Sequence, residues 1–215
     1  MATTSFLYHT LGLRRHRHLK TEFIGSAVYH NVKPRRDERR CRGCGARCHD
    51  LTLEGQFRRT FRALPVGCRR QFIVLHGHEQ RCGRCDAKLR EPIDFAEGKR
   101  RHIKSFERFV VELCQIATVK HTADLLGVSW VVAKDAFKRH LRRRLKKRPL
   151  RKVRLIAIHE FAVRKGHQYM TVVFDLEQGQ ILHAAEGRSA ESLLPFLRRL
   201  RAIGAPLEAV AMDMW

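Results

Sequence analysis

The stretch Thr122-Ala123-Asp124-Leu125-Leu126-Gly127-Val128-Ser129-Trp130 organises the reading of this chain. Before it, Ile103, Phe106, Val110, Leu113 and Ala117 recur three and four apart, which predicts an amphipathic helix. Val119, Ala123 and Leu126 predict a second, short helix that Gly127 ends. Ser129 then offers a side-chain oxygen to cap a third helix, from Trp130 to about Leu145. Ala123 and Gly127 fall where two crossing helices must approach closely, so both are expected to be small. The pattern is a helix-turn-helix with glycine in the turn. Its third helix is then a reading helix, with Ser129, Lys134 and Lys138 facing outward and Trp130 either outward with them or a core anchor. Val132, Ala133, Ala136, Phe137 and Leu141 are expected inward. Arg142, Arg143 and Arg144, followed by Lys146, Lys147 and Arg148, extend a face suited to phosphates, which position a protein without conveying sequence.

Charge points the same way. The 215 residues carry 44 Lys/Arg against 21 Asp/Glu, a formal net charge of +23. Such an excess favours a polyanionic partner, because binding releases condensed counterions. The excess is uneven: residues 99–149 hold 15 basic against four acidic side chains, whereas residues 155–215 hold six against seven. Nucleic-acid contact therefore belongs to the first 154 residues. Apolar runs such as Phe72 to Leu75 are far shorter than the roughly 18 residues of a membrane span, and no leader pattern opens the chain. A cytoplasmic protein with no membrane partner is expected.

Upstream lie seven cysteines, and an odd count in such a chain favours metal ligands over disulfides. Cys41-Arg-Gly-Cys44 and Cys82-Gly-Arg-Cys85 are two CxxC knuckles, each containing a glycine expected to let the backbone turn its amides toward sulfur. Four thiolates in a tetrahedron suit structural Zn²⁺. Cys48, Cys68, His49, His76 and His78 are close in sequence but surplus to a closed four-sulfur site, and Cys114 falls on the apolar side of the first helix. Between the knuckles, Gln71 to His76 is β-rich and follows a turn signal at Leu64-Pro-Val-Gly67.

Downstream, Pro149 interrupts a basic run and marks a linker. Strands are predicted at Val153–Ile158, Tyr169–Phe174 and Gln180–Ala185, then a helix capped by Ser189 and stopped by Gly204, then a strand over Leu207–Met212 ending at Asp213. The order β-β-β-α-β opens a ribonuclease-H-like sheet. The expected fold class is multidomain α+β: a lead-in over 1–40, a zinc-ribbon-like β module over 41–98, a helix-turn-helix three-helix module over 99–148, and a partial ribonuclease-H-like α/β domain over 152–215.

With these elements in place the chain resembles bacterial insertion-sequence transposases of the ISL-three family. The resemblance is carried by CRGC at 41–44, RCGRC at 81–85, TADLLGVSW at 122–130, HEFAVRKGHQYMTVVFDLE at 159–177, EGRSAESLLPF at 186–196 and AVAMDMW at 209–215. It implies a DDE domain that cuts and joins DNA ends, with carboxylates holding two Mg²⁺ ions. It also implies duplex terminal inverted repeats as partner, a homodimer by analogy with synaptic assembly, and a bacterial, nucleoid-associated setting. Two departures stand out. The family's Asp-Glu pair on the first strand is here His159-Glu160, and imidazole is a poor Mg²⁺ ligand beside carboxylate. Asp213 matches a second carboxylate position, and the remaining acid is expected beyond Trp215. Glu160 is a weak substitute, because neighbouring strand residues face opposite sides. Arg164, Lys165 and Arg188 are further basic candidates for DNA contact. The expectation is a truncated, inactive transposase fragment. The alternative is a non-catalytic zinc and helix-turn-helix protein that represses transposition, and a zinc-ribbon protein on RNA is a third reading.

Overall fold

The computed structural model describes residues 6–35, 39–146, 150–164 and 168–212. The chain divides into two compact units, Met1–Phe137 and Lys138–Trp215.

The first unit opens with helix α1 (Phe6–Leu11) and the hairpin of β1 (His16–Ile24) and β2 (Ala27–Pro34). A long hairpin follows, β3 (Leu51–Val66) and β4 (Arg69–Cys82), then the short β5 (Lys88–Arg90). The sheet order is β1-β2-β4-β3, with β5 also on β4. β2 runs parallel to β4, from Ala27 opposite Arg70 to Val32 opposite Leu75, whereas β3 and β4 pair antiparallel from Leu51 opposite Cys82 to Val66 opposite Arg69. Residues 1–40, expected only as a charged lead-in, thus supply a helix and two strands. The strand signal was masked because β1 is an exposed edge strand rich in charge, while β2 is buried on both faces and does not alternate.

Helices α2 (Lys104–Ile116), α3 (Val119–Leu126) and α4 (Trp130–Lys146) follow. Their apolar stripes do not form a separate three-helix core. Phe61, Ala63, Ile73 and Leu75 of the sheet share one cluster with Ile103, Phe106, Val110, Ala123, Leu126, Ala133 and Ala136. Sheet and helices were expected as two modules, 41–98 and 99–148; here they bury their apolar surfaces against each other. The graft has a backbone hook: Arg62 on β3 donates its amide to Arg101 O at 2.8 Å and accepts from Ile103 N at 3.0 Å, just ahead of α2.

The second unit contains the end of α4 and a four-stranded sheet of β6 (Leu155–Arg164), β7 (Gln168–Asp175), β8 (Gln180–Glu186) and β9 (Ala209–Met212), ordered β8-β7-β6-β9. The first three form an antiparallel meander; α5 (Ala190–Ile203) then crosses over so that β9 runs parallel to β6. Gly204 ends α5 in the left-handed conformation, with φ of +65°. Ser189 occupies the cap position without capping through its side chain. Ile156, Ile158, Val173 and Leu182 pack against Leu193, Phe196 and Leu200 of the helix. On other strand positions Phe161, Val163 and Ile181 remain exposed.

Candidate nucleic-acid interface and metal centre

The β3–β4 hairpin brings the two knuckles together at its open end. Cys41 and Cys82 are buried and Cys44 and Cys85 exposed, and all four Sγ atoms lie within 4.8 Å of one another. Cys41 Sγ is 3.6 Å from Cys85 Sγ, and Cys44 Sγ is 3.6 Å from Cys82 Sγ. These are free thiols at the edge length of a tetrahedron: sulfur at about 2.3 Å from a central ion gives edges of about 3.8 Å. The donor set therefore fits Zn²⁺. The thiols share protons unequally. Amides of residues 44 and 43 stabilise the Cys41 thiolate and bring its pKa to about 6. Cys85 is pushed up to about 12: the Ala87 amide opposes the rise, and hydrogen bonding with the Cys44 and Cys41 sulfurs drives it.

The knuckles repeat one backbone pattern. Cys41 N donates to Ala46 O at 2.9 Å and Gly45 N to Cys41 O at 3.0 Å; Cys82 N donates to Ala87 O at 3.2 Å and Asp86 N to Cys82 O at 2.9 Å. Gly43 N donates to Cys41 Sγ at 3.3 Å, the amide-to-sulfur contact expected of the first knuckle, while the left-handed residues, Gly45 (φ +75°) and Asp86 (φ +52°), lie just past each motif. Below them, buried Glu91 accepts from His78 N at 2.7 Å and pairs with Arg39, tying the segments on either side of the site. Cys48 and His49 lie nearby outside the four-sulfur group, and Cys114 is buried on α2.

The helix-turn-helix geometry follows from its caps. Thr118 accepts from His121 N at 3.1 Å and starts α3. Gly127, at φ +60°, ends it, and Val128 N donates to Ala123 O at 3.0 Å. A Cβ on Gly127 would meet nothing within 4 Å, so glycine serves the left-handed backbone and not the close helix approach expected from sequence. Ser129 Oγ accepts from Val132 N at 3.4 Å at the start of α4.

On α4, Ser129, Trp130, Lys138, Arg142, Arg143 and Arg144 are exposed, while Ala133 and Ala136 are fully buried. Lys134 is half-buried: its Nζ lies 5.0 Å from the Trp130 ring centroid and 3.5 Å from Asp135. Leu141, expected inward, is 44% exposed, because it lies beyond the part of α4 that covers the sheet core. Lys147 and Arg148 lie outside the described residues. Sequence reasoning missed Arg62, whose side chain is buried between Phe72 and Phe106 with its Nη2 donating to Leu126 O at 2.9 Å. It caps the last turn of α3 from the sheet. A buried arginine carries no periodic signal, and its position inside a strand run hid it.

In the second unit His159 is exposed on β6 opposite Val172, with its ring stacked near Phe161. Glu160 sits opposite Thr171 on the other face of the strand. The last described pair of the parallel ladder is Ile158 with Met212, and Asp213 lies outside the described residues, as does Lys165. Arg188 is stacked over Tyr169, 4.7 Å from its centroid. Asp175 accepts from the amides of Glu177 and Gln178 at 3.0 and 3.1 Å, which makes it a turn residue.

Known families match the sequence in both units. Residues 91–141 match the family described as "Helix-turn-helix domain of transposase family ISL3", and residues 156–215 match the ISL3 DDE family described as "Transposase". The transposase for insertion sequence element IS1001 of Bordetella parapertussis is 31% identical over 189 residues, which cover 85% of this chain and 45% of that protein. The chain thus spans less than half the length of the curated relative it matches. No solved structure matches it. Among the described residues no helix is long and apolar enough to cross a membrane. The helix-turn-helix and DDE matches, together with the IS1001 relative, place the chain in the ISL3 family of insertion-sequence transposases.

Proposed function

We propose that this chain recognises the terminal inverted repeats of an insertion sequence as duplex DNA, through a Zn²⁺-stapled sheet that carries a helix-turn-helix. The observation that carries this reading is the exposed basic face of α4, which follows a capped turn whose inner residues are locked into the sheet core. Trp130 and Ser129 stand where base edges are read, with Lys134 held over the Trp130 ring. Lys138, Arg142, Arg143 and Arg144 continue along the helix as phosphate contacts. The four cysteines would hold one zinc as a structural ion. The second unit is read as a ribonuclease-H-like sheet with DDE positions, and synapsis of two element ends would call for a dimer. Its setting would be the bacterial nucleoid.

Cutting and joining, the family reaction, needs carboxylates around two Mg²⁺ ions. His159 occupies the first of those positions, so we read these 215 residues as deficient in strand transfer. The same residue favours a second reading, a DNA-binding regulator that occupies element ends without cutting them.

Fluorescence anisotropy with an inverted-repeat duplex, a shuffled duplex and structured RNA tests the proposal. Tighter binding to the inverted repeat is expected. Lys134→Ala should change sequence preference, whereas Arg143→Ala should weaken all duplexes alike. Equal affinity for every probe, or preference for RNA, would remove it.

A further inference from the structure

Between the α1–β1 turn and the first two turns of α2 lies a cleft of about 420 Å³. Arg14 and Arg15 line one side, and Lys104, Ser105 and Arg108 the other. Nothing local explains the two cations on the helix. Lys104 and Arg108 are four residues apart on one exposed face, where like charges repel. Lys104 also opens the first turn of α2, at the positive end of the helix dipole, where acidic side chains are the stabilising choice. Neither makes an ion pair among the described residues. The one acid lining the cleft is Asp94, whose Oδ1 lies 3.8 Å from Nδ1 of buried His16. Lys104 and Arg108 thus line a groove whose single carboxylate is turned toward a histidine, with Arg14 and Arg15 on its other wall. Ser105 Oγ is committed to Leu11 O at 3.4 Å, which fixes the α1–β1 turn against the helix and holds the two walls together.

We infer that this cleft is a second DNA contact, a clamp for backbone phosphates of the duplex engaged by α4. It belongs to the same compact unit as the turn that presents α4, and it rests on the DNA-binding reading above. Contacts to phosphates carry no sequence information, so its contribution is independent of sequence.

The test uses the full chain and the double variant K104Q/R108Q, with binding to inverted-repeat and shuffled duplexes measured across a salt series. Removing two phosphate contacts should lower the slope of log affinity against log salt by about 1.8, which is about 30-fold at about 0.15 M salt. The loss should be equal for both duplexes, and melting temperature should stay level or rise because a repulsive pair is gone. A binding wild type whose slope and affinity match those of the variant overturns the clamp alone. A loss confined to the inverted repeat also overturns it, by making these residues base readers. Stabilisation by inorganic phosphate with duplex binding unchanged in the variant overturns it in favour of a free-anion site. A wild type that binds no duplex overturns the clamp and the DNA-binding reading together.

Discussion

The two units solve the problem of a small core differently. In the first, sheet and helices cover each other, and polar groups caught inside are answered: Glu107 by Arg100 and His102 at 2.9 and 3.1 Å, Arg62 by Leu126 O. The four-sulfur group closes the far end of the long hairpin, where the apolar cluster is only Cys41, Ala46 and Cys82 with Leu51 and Leu89 beside it. In the second, one helix packs on three of the four strands, while β9 and the side chains of Phe161, Val163 and Ile181 stay exposed. Burial scales with how many layers close on a sheet, so the first unit should hold together under conditions that open the second.

The largest expected effect is metal removal. Structural zinc contributes on the order of 10 kcal/mol to small modules, and the hairpin end has little else. Purified chain should contain one zinc, and chelation should raise hydrogen exchange over residues 41–54 and 79–90 while α2 and α3 stay protected. Equal loss of protection everywhere would show that the sheet core does not stand without the metal. Next, Phe196→Ala empties the centre of the second core, where the ring is buried and stacked on His183. A cost of about 4 kcal/mol should abolish the unfolding transition of that unit and leave the other in place, as read by calorimetry. Arg62→Ala should cost about 2–3 kcal/mol by leaving the Leu126 carbonyl without its donor and a gap between two rings. If sheet and helices were independent modules, DNA affinity of the folded variant would be unaffected; we expect it to fall. Smallest is Gly127→Ala, at about 1 kcal/mol for a left-handed backbone with open space around it, measured as a shift in denaturant midpoint.

Much of this was legible in the chain. The 3.6-residue period of Ile103 to Leu126 and the short apolar runs of the second unit gave their elements, since each buries one face only. The grouping of four cysteines followed from spacing. The β1–β2 hairpin did not, because a charged edge strand and a strand buried on both faces lack the alternation that marks half-buried strands. Nor did the sharing of one core by sheet and helices: periodicity identifies an apolar stripe but not the partner that covers it. The left-handed positions past the knuckles were not legible either, since Asp86 shows that such a position need not be a glycine.

The wide separation of the two knuckles has a consequence during synthesis. Cys44 leaves the ribosome 41 residues ahead of Cys85, an interval of about 2–8 s at ordinary translation rates. Over that time the leading dithiol lacks the other half of the four-sulfur group, and β2 has no parallel neighbour to join. Maturation of the nascent polypeptide is therefore gated by its second cysteine pair, and a translational pause within the hairpin would prolong the most vulnerable moment of its life.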